Sequence, residues 1–316
     1  MSGDVQTTSR FVPRGRGAGF ASLAVAVATV STSALFVRAA QEGAPSLAIA
    51  AWRTVLAASI VAAVVLPRRW REVRGMTGPD VAAVSLSGVC LGVHFACWIG
   101  SLAWTSVAVS VVLVNTAPLF VAAASPWVTG ERLGPRGVVG VLLATMGAAV
   151  IGLAAEAGEG RNDLLGGALA MLGAVSLAGY LMIGRRVKDR LSLGVYLTGV
   201  YGAAAATLVI LAVATSQPAW GYGTRSWLAI WGLTIVCHLI GHSSTNAALR
   251  FLTAATVSVV LLLEPVFASA LAYAVLGEAV GRTQLIGAAV VLVGVAAVVV
   301  PSRRRRIPPT PRASAA

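Results

Sequence analysis

The chain has 316 residues, of which 57% are hydrophobic and 11% charged, whereas soluble domains hold about 45–50% and about 25%. That excludes a water-soluble globular protein. At roughly 20 apolar residues per crossing, the length suffices for about ten membrane helices, short connectors and no sizeable soluble domain. The net charge of +13 gathers between apolar runs, as orientation signals do, rather than on the face of a folded domain, so no nucleic-acid partner is expected.

Ten apolar stretches follow one another at 18–37, 45–66, 80–102, 107–129, 135–155, 165–184, 192–214, 226–248, 254–276 and 281–300. Each is long enough to span as a helix, and helices are required because backbone groups in lipid must bond internally. The first resembles a signal peptide in place, but its length and the nine stretches behind it predict a retained helix. Residues 1–17 and 301–316 read as disordered cytoplasmic tails rich in Arg, Pro and Ser, and 156–164 as an extracytoplasmic connector. With the N-terminus inside, 19 Lys and Arg fall in inside segments and 4 in outside segments, with Arg53 alone inside a span. This predicts a multi-pass protein of the cell membrane (inner or plasma) with both termini cytoplasmic. Cys90, Cys97 and Cys237 lie in apolar runs and form neither a disulfide framework nor a C-x-x-C motif.

The chain repeats itself at an offset of 147 residues. Pro118 matches Pro265, Phe120 matches Phe267, Gly130-Glu131 matches Gly277-Glu278, Cys90 matches Cys237, and Gly140 and Gly147 match Gly287 and Gly294. Between 105 and 153, twelve of 49 positions are identical to 252–300 without a gap. The units predicted are residues 18–155 and 165–300. Each holds five spans, an odd number, so the second enters the membrane from the opposite side. This is the inverted-repeat plan of secondary transporters, with the binding site near mid-membrane between the repeats.

Two segments, HFACWIGSLAWTSVAVSVVLVNTAPLFVAAASPWVTGERL from His94 and GHSSTNAALRFLTAATVSVVLLLEPVFASALAYAVLGE from Gly241, share an order of small residues, Pro, an apolar run and Gly-Glu. In this they resemble the EamA-type half of the drug/metabolite transporter superfamily, and the resemblance extends over about 18–300. It implies an all-α membrane protein of ten helices in two inverted five-helix repeats around a central cavity. It further implies a transporter, often an exporter of amino acids, other metabolites or drugs, without naming a substrate. The second repeat departs from the first at Arg53, whose counterpart region around Val200 and Tyr201 has no basic residue.

Ionisable groups within spans are functional candidates. Arg53 has two readings, an anchor for a carboxylate, which its planar fork suits, or a structural pair. Glu264 lies mid-span before Pro265, and is either a site of reversible protonation or amine binding, or a salt-bridge partner of Arg53. Its counterpart is Ala117, so a single such site is expected. Pro118 and Pro265 are expected to kink or break spans four and nine at the cavity, beside Asn115, Thr116 and Glu264. Cys90, His94, Cys97 and Ser101 share one face of span three, with Trp98 beside them; His238, His242, Thr245 and Asn246 share one face of span eight. The site predicted is Arg53, His94, Trp98, Asn115, His242, Asn246 and Glu264, with Tyr180, Tyr196 and Tyr201 as wall or packing residues. Cys90, His94 and Cys97 are soft ligands, but three on one helix rarely close a tetrahedron, so no metal is expected. Gly140, Gly147, Gly287 and Gly294 read as scaffold or as the seam of a homodimer. Glu131 and Glu278 end spans at the membrane boundary, solvated, paired with loop arginines, or gating.

No G-x-x-x-x-G-K-[ST] motif is present, which leaves proton exchange as the energy source and no cofactor. No H-E-x-x-H or G-x-S-x-G motif supports a membrane-embedded enzyme. The reading is a secondary transporter, an exporter of a small metabolite, amino acid or drug-like compound by alternating access, in a lipid bilayer. An importer and a non-transporting receptor or scaffold are the alternatives.

Overall fold

A computed structural model describes residues 15–154, 161–276 and 281–300. Among the described residues the chain is helical and carries no strand. Ten helical segments are long and apolar enough to cross a membrane. They are span 1 (Arg16–Gln41), span 2 (Ser46–Arg74), span 3 (Gly78–Ser101), span 4 (Val109–Val128), span 5 (Pro135–Ala154), span 6 (Asp163–Val187), span 7 (Leu193–Ala214), span 8 (Thr224–Leu249), span 9 (Ala254–Leu271) and span 10 (Arg282–Val299). Ten crossings set the outer ends of spans 1 and 10 on the same side.

The packing repeats with the sequence. Span 3 lies against span 6 as span 8 lies against span 1, and span 4 meets span 6 as span 9 meets span 1. Spans 2 and 7 pack on each other, as do spans 5 and 10. In each case the partners exchange under the offset of 147, as a two-fold axis in the membrane plane requires.

Local chemistry sets many helix ends. Ser106 and Thr253 stand at equivalent positions, and each side chain accepts from a backbone N–H three residues on, at Val109 and Thr256, satisfying an orphan donor of the first turn. Thr77 and Asp80 close a reciprocal box at the start of span 3. Spans 4 and 9 both break one residue pair before their prolines. Helices Val107–Val114 and Ala117–Val128 are separated at Asn115-Thr116, and Ala254–Leu261 and Glu264–Leu276 at Leu262-Leu263. Proline disfavours helix in the residue before it and lacks a donor of its own. Pro118 and Pro265 thus stand at the second position of new helices rather than kinking continuous ones.

Three features differ from the sequence expectation. Span 2 does not stop at 66. Its helix continues through Pro67 to Arg74, with only Arg69 off helical angles (φ −127°, ψ 18°), so the basic segment 68–74 is helix and not connector. One lost bond does not end a helix whose next turn reaches polar surroundings. Span 1 breaks at Ser31-Thr32, between Arg16–Val30 and Ser33–Gln41. There the two hydroxyls donate to the carbonyls of Val27 and Thr29, both at 2.7 Å, a substitution that bends helices. Span 8 contains a ten-residue π-helix, Leu233–His242, wider than an α-helix and frequent at functional sites. Its counterpart, span 3, is α-helical throughout.

Candidate functional site

A cavity of about 160 Å³ lies between the repeats, lined by spans 1, 2, 3, 4, 6, 8 and 9. Of its twenty-four lining residues, twenty form ten pairs separated by 147, among them Ser33 with Tyr180, Phe95 with His242, Asn115 with Leu262, Ala117 with Glu264 and Pro118 with Pro265. The cavity therefore straddles the two-fold axis. The breaks in spans 1, 4 and 9 meet at it, and the Ser31 hydroxyl donates to the Glu264 carbonyl at 3.2 Å.

Arg53, His94, Trp98, Asn115, His242, Glu264, Pro118 and Pro265 all stand on the wall. Asn246 does not. One helical turn from His242, its amide nitrogen donates to the Tyr180 hydroxyl and to the His242 carbonyl (2.7 Å), so it braces a wall residue from behind. Of the aromatics, Trp98 and Tyr180 form wall. Tyr196 instead bonds Ser87 at 2.7 Å, and Tyr201 bonds Ser243 at 3.1 Å. Phe95 is a wall residue that side-chain polarity could not single out; its signal is its equivalence to His242.

The His94 ring bonds the Gly173 carbonyl at 2.9 Å through Nδ1. A carbonyl only accepts, so Nδ1 carries the proton and the other ring nitrogen is left for the cavity side. Trp98 stacks nearly parallel to this ring, with centroids 6.2 Å apart.

Arg53 and Glu264 make no ion pair with each other, and among the described residues neither has any ion-pair partner. Arg53 is 1% exposed, with its guanidinium carbon 4.3 Å from the centroid of Phe95. Taking such an ion out of water costs several kcal/mol, and a desolvated cation–π contact returns about 2 kcal/mol. Arg53 is thus short of stabilisation in this arrangement. Among the described residues no group of three or more His, Cys, Asp or Glu is arranged to hold a metal ion.

A helical chain with two matching halves, a cavity on their axis and, among the described residues, wall charges without ion-pair partners has the plan of a membrane transporter. The sequence profile of the EamA-like transporter family matches residues 17–153 and 164–300. The chain belongs to the EamA-like transporter family. The transporter is 23% identical over 244 residues to an uncharacterized transporter of Clostridium kluyveri, covering 74% of this chain and 78% of that one. It also superposes on a solved crystal structure with a TM-score of 0.75 and 21% identity, over 92% of this chain and 98% of the other, a likeness of fold.

On the side where span 1 starts, several spans of the transporter are tied together. There Glu131, in the connector from span 4 to span 5, accepts from Arg185 Nε at the end of span 6 (2.7 Å) and from the backbone N–H of Ala254 at the start of span 9 (3.2 Å). Arg185 also donates to the Leu249 carbonyl at the end of span 8 (2.8 Å). Each charge sits at the helix end whose dipole favours it. Glu131 is therefore paired rather than solvated; Glu278, its repeat counterpart, lies outside the described residues. On the opposite side Arg225 meets Glu42 at 2.6 Å, with side chains 74% and 52% exposed. The glycines of spans 5 and 10 face each other within the chain. A Cβ on Gly140 would meet the Gly294 carbonyl at 2.8 Å, and one on Gly147 the Gly287 carbonyl at 2.7 Å. The small-residue stripe thus serves as scaffold within the chain.

Proposed function

We propose that this transporter moves a compact polar metabolite outward across the cell membrane in exchange for protons, by alternating access around the cavity on the two-fold axis. The observation that carries this reading is a wall whose positions are shared by both repeats while its charges, Arg53 and Glu264, occur once each and are unpaired. Shared backbone positions suit two gates of similar shape; unpaired charges suit a ligand that supplies the missing partners. Glu264 is the proton-binding group, or the partner of an amine on the cargo. The volume of about 160 Å³ is close to that of an engineered cavity of about 150 Å³ that takes up benzene. It favours a molecule of metabolite or amino-acid size over a bulky drug. The excess of basic residues on the side of the termini supports their cytoplasmic placement. On that placement the Glu131–Arg185 tie closes the cytoplasmic mouth.

The test compares cells expressing the wild type, Glu264→Gln or an empty vector, profiled inside and outside by mass spectrometry. A compound that accumulates outside only with the wild type supports proton-linked export through this site. A compound depleted outside and accumulated inside reverses the direction. A wild-type profile equal to that of the vector overturns the reading.

A further inference from the structure

On and just behind the cavity wall lies a cluster of buried polar atoms that no group among the described residues satisfies. All three guanidinium nitrogens of Arg53, both ring nitrogens of His238, Nδ1 of His242 and Oδ1 of Asn246 are buried without a hydrogen-bond partner. Native proteins pair nearly all such atoms, so a group of seven points to a missing partner. The cluster is held around one ring. Arg53 covers a face of Phe95, and the rings of His238 and His242 stand 5.4 Å and 5.0 Å from it and 5.4 Å from each other. Tyr201 fixes His238 from the far side, edge-on at 4.3 Å. The π-helix Leu233–His242 supplies both histidines. Arg53, Phe95 and His242 border the cavity; His238 does not.

The unsatisfied atoms are mostly donors around a permanent cation. A neutral imidazole adds one N–H, and the guanidinium presents a planar fork. No carboxylate of the protein reaches them, because Arg53 has no ion-pair partner among the described residues. A planar oxyanion of the cargo fits this set, two oxygens against the fork and one of them against an imidazole N–H.

We propose that this shell is the receiving site for a carboxylate of the transported molecule, that His238 is a specificity-determining donor beside Arg53, and that the Phe95 ring closes the shell while it is empty. The proposal rests on the cavity being the transport site, as proposed above. Loading swings the Phe95 ring off the guanidinium, and the carboxylate replaces a weak cation–π contact with a bidentate ion pair. Arg53 borders the cavity but its guanidinium nitrogens are buried, so an anion reaches them only as the Phe95 ring moves, which ties cargo charge to conformation.

The experiment uses the full-length transporter in detergent at constant ionic strength. Binding of benzoate and of its neutral isostere benzamide is followed by intrinsic tryptophan fluorescence and by melting temperature, with inorganic phosphate as a tetrahedral control. The wild type is expected to bind benzoate at least tenfold more tightly than benzamide and phosphate. Arg53→Lys, which keeps the charge but loses the fork, and His238→Phe should each remove most of that preference. Phe95→Leu should tighten benzoate several-fold and leave benzamide unchanged. Equal binding of benzoate and benzamide overturns the shell while leaving the cavity reading intact; preference for phosphate overturns the carboxylate assignment. Unaltered preference in His238→Phe removes that residue's role, and weaker benzoate binding in Phe95→Leu overturns the closing ring. Failure of both ligands to bind the wild type overturns the shell and the cavity together.

Discussion

Spans 5 and 10 and the cavity wall treat the same two-fold axis in opposite ways. Where spans 5 and 10 cross, the glycines recur at equivalent positions, with Gly140 and Gly147 against Gly294 and Gly287. A contact that a helix makes with its own symmetry mate is self-complementary, so one solution serves both sides. On the cavity wall equivalent positions are kept but, Pro118 and Pro265 apart, their residues are not: Phe95 matches His242, Ala117 matches Glu264, Ser33 matches Tyr180. A small molecule is not two-fold symmetric, and recognising it needs each charge once. Symmetry thus persists where backbones must approach and is abandoned where chemistry must discriminate.

The largest effect that would break this comparison is expected in the scaffold. Gly147→Leu places atoms where a Cβ already meets Val291 N at 2.6 Å and the Gly287 carbonyl at 2.7 Å. Backbone cannot yield as a side-chain tip does, so the loss should exceed the about 1–3 kcal/mol usual for overpacking. Size-exclusion profiles should show little folded protein, and Gly287→Leu should behave alike. A well-folded Gly147→Leu would contradict the close crossing.

The wall should respond asymmetrically. Glu264→Gln removes the proposed proton-binding or cargo-binding carboxylate, a charge-assisted contact being worth about 1.5–3 kcal/mol, and should cut transport driven by an imposed pH gradient in proteoliposomes by about tenfold or more. Adding Ala117→Glu to it, at the matching position, should not restore activity. Restoration would mean that the two halves of the cavity are interchangeable.

The two membrane faces give smaller effects. Glu131→Gln and Arg185→Gln should each lower the melting temperature by a few degrees, because the pair is largely shielded, with side chains 21% and 13% exposed, and ties four spans. Their effects should be non-additive in a double-mutant cycle. Arg225→Gln on the opposite face should leave the melting temperature unchanged within error, since exposed pairs contribute little.

Much of this is written locally in the chain. Mid-membrane helices are forced by lipid, which accepts no unpaired backbone, so apolar length alone marked the ten spans. The caps at Ser106 and Thr253 and the breaks before Pro118 and Pro265 are short-range effects that an offset of 147 doubles. Residue type and depth likewise brought Arg53, His94, Asn115, His242 and Glu264 forward as wall candidates. What escaped has no local signature. Helix continuation through Pro67 depends on where the next turn lies. The π-helix at Leu233–His242 depends on what packs against it.

The sequence by itself thus determined the class, the number of crossings, the repeat and its inversion, because hydropathy, parity and periodicity act along the chain. Tertiary structure alone decided which polar groups meet. It kept Arg53 apart from Glu264 and laid it on Phe95, drew His238 and His242 to that same ring, and turned Asn246 back onto Tyr180. Those pairings join residues from different spans, and their partners are chosen by helix packing in three dimensions, which no linear pattern encodes.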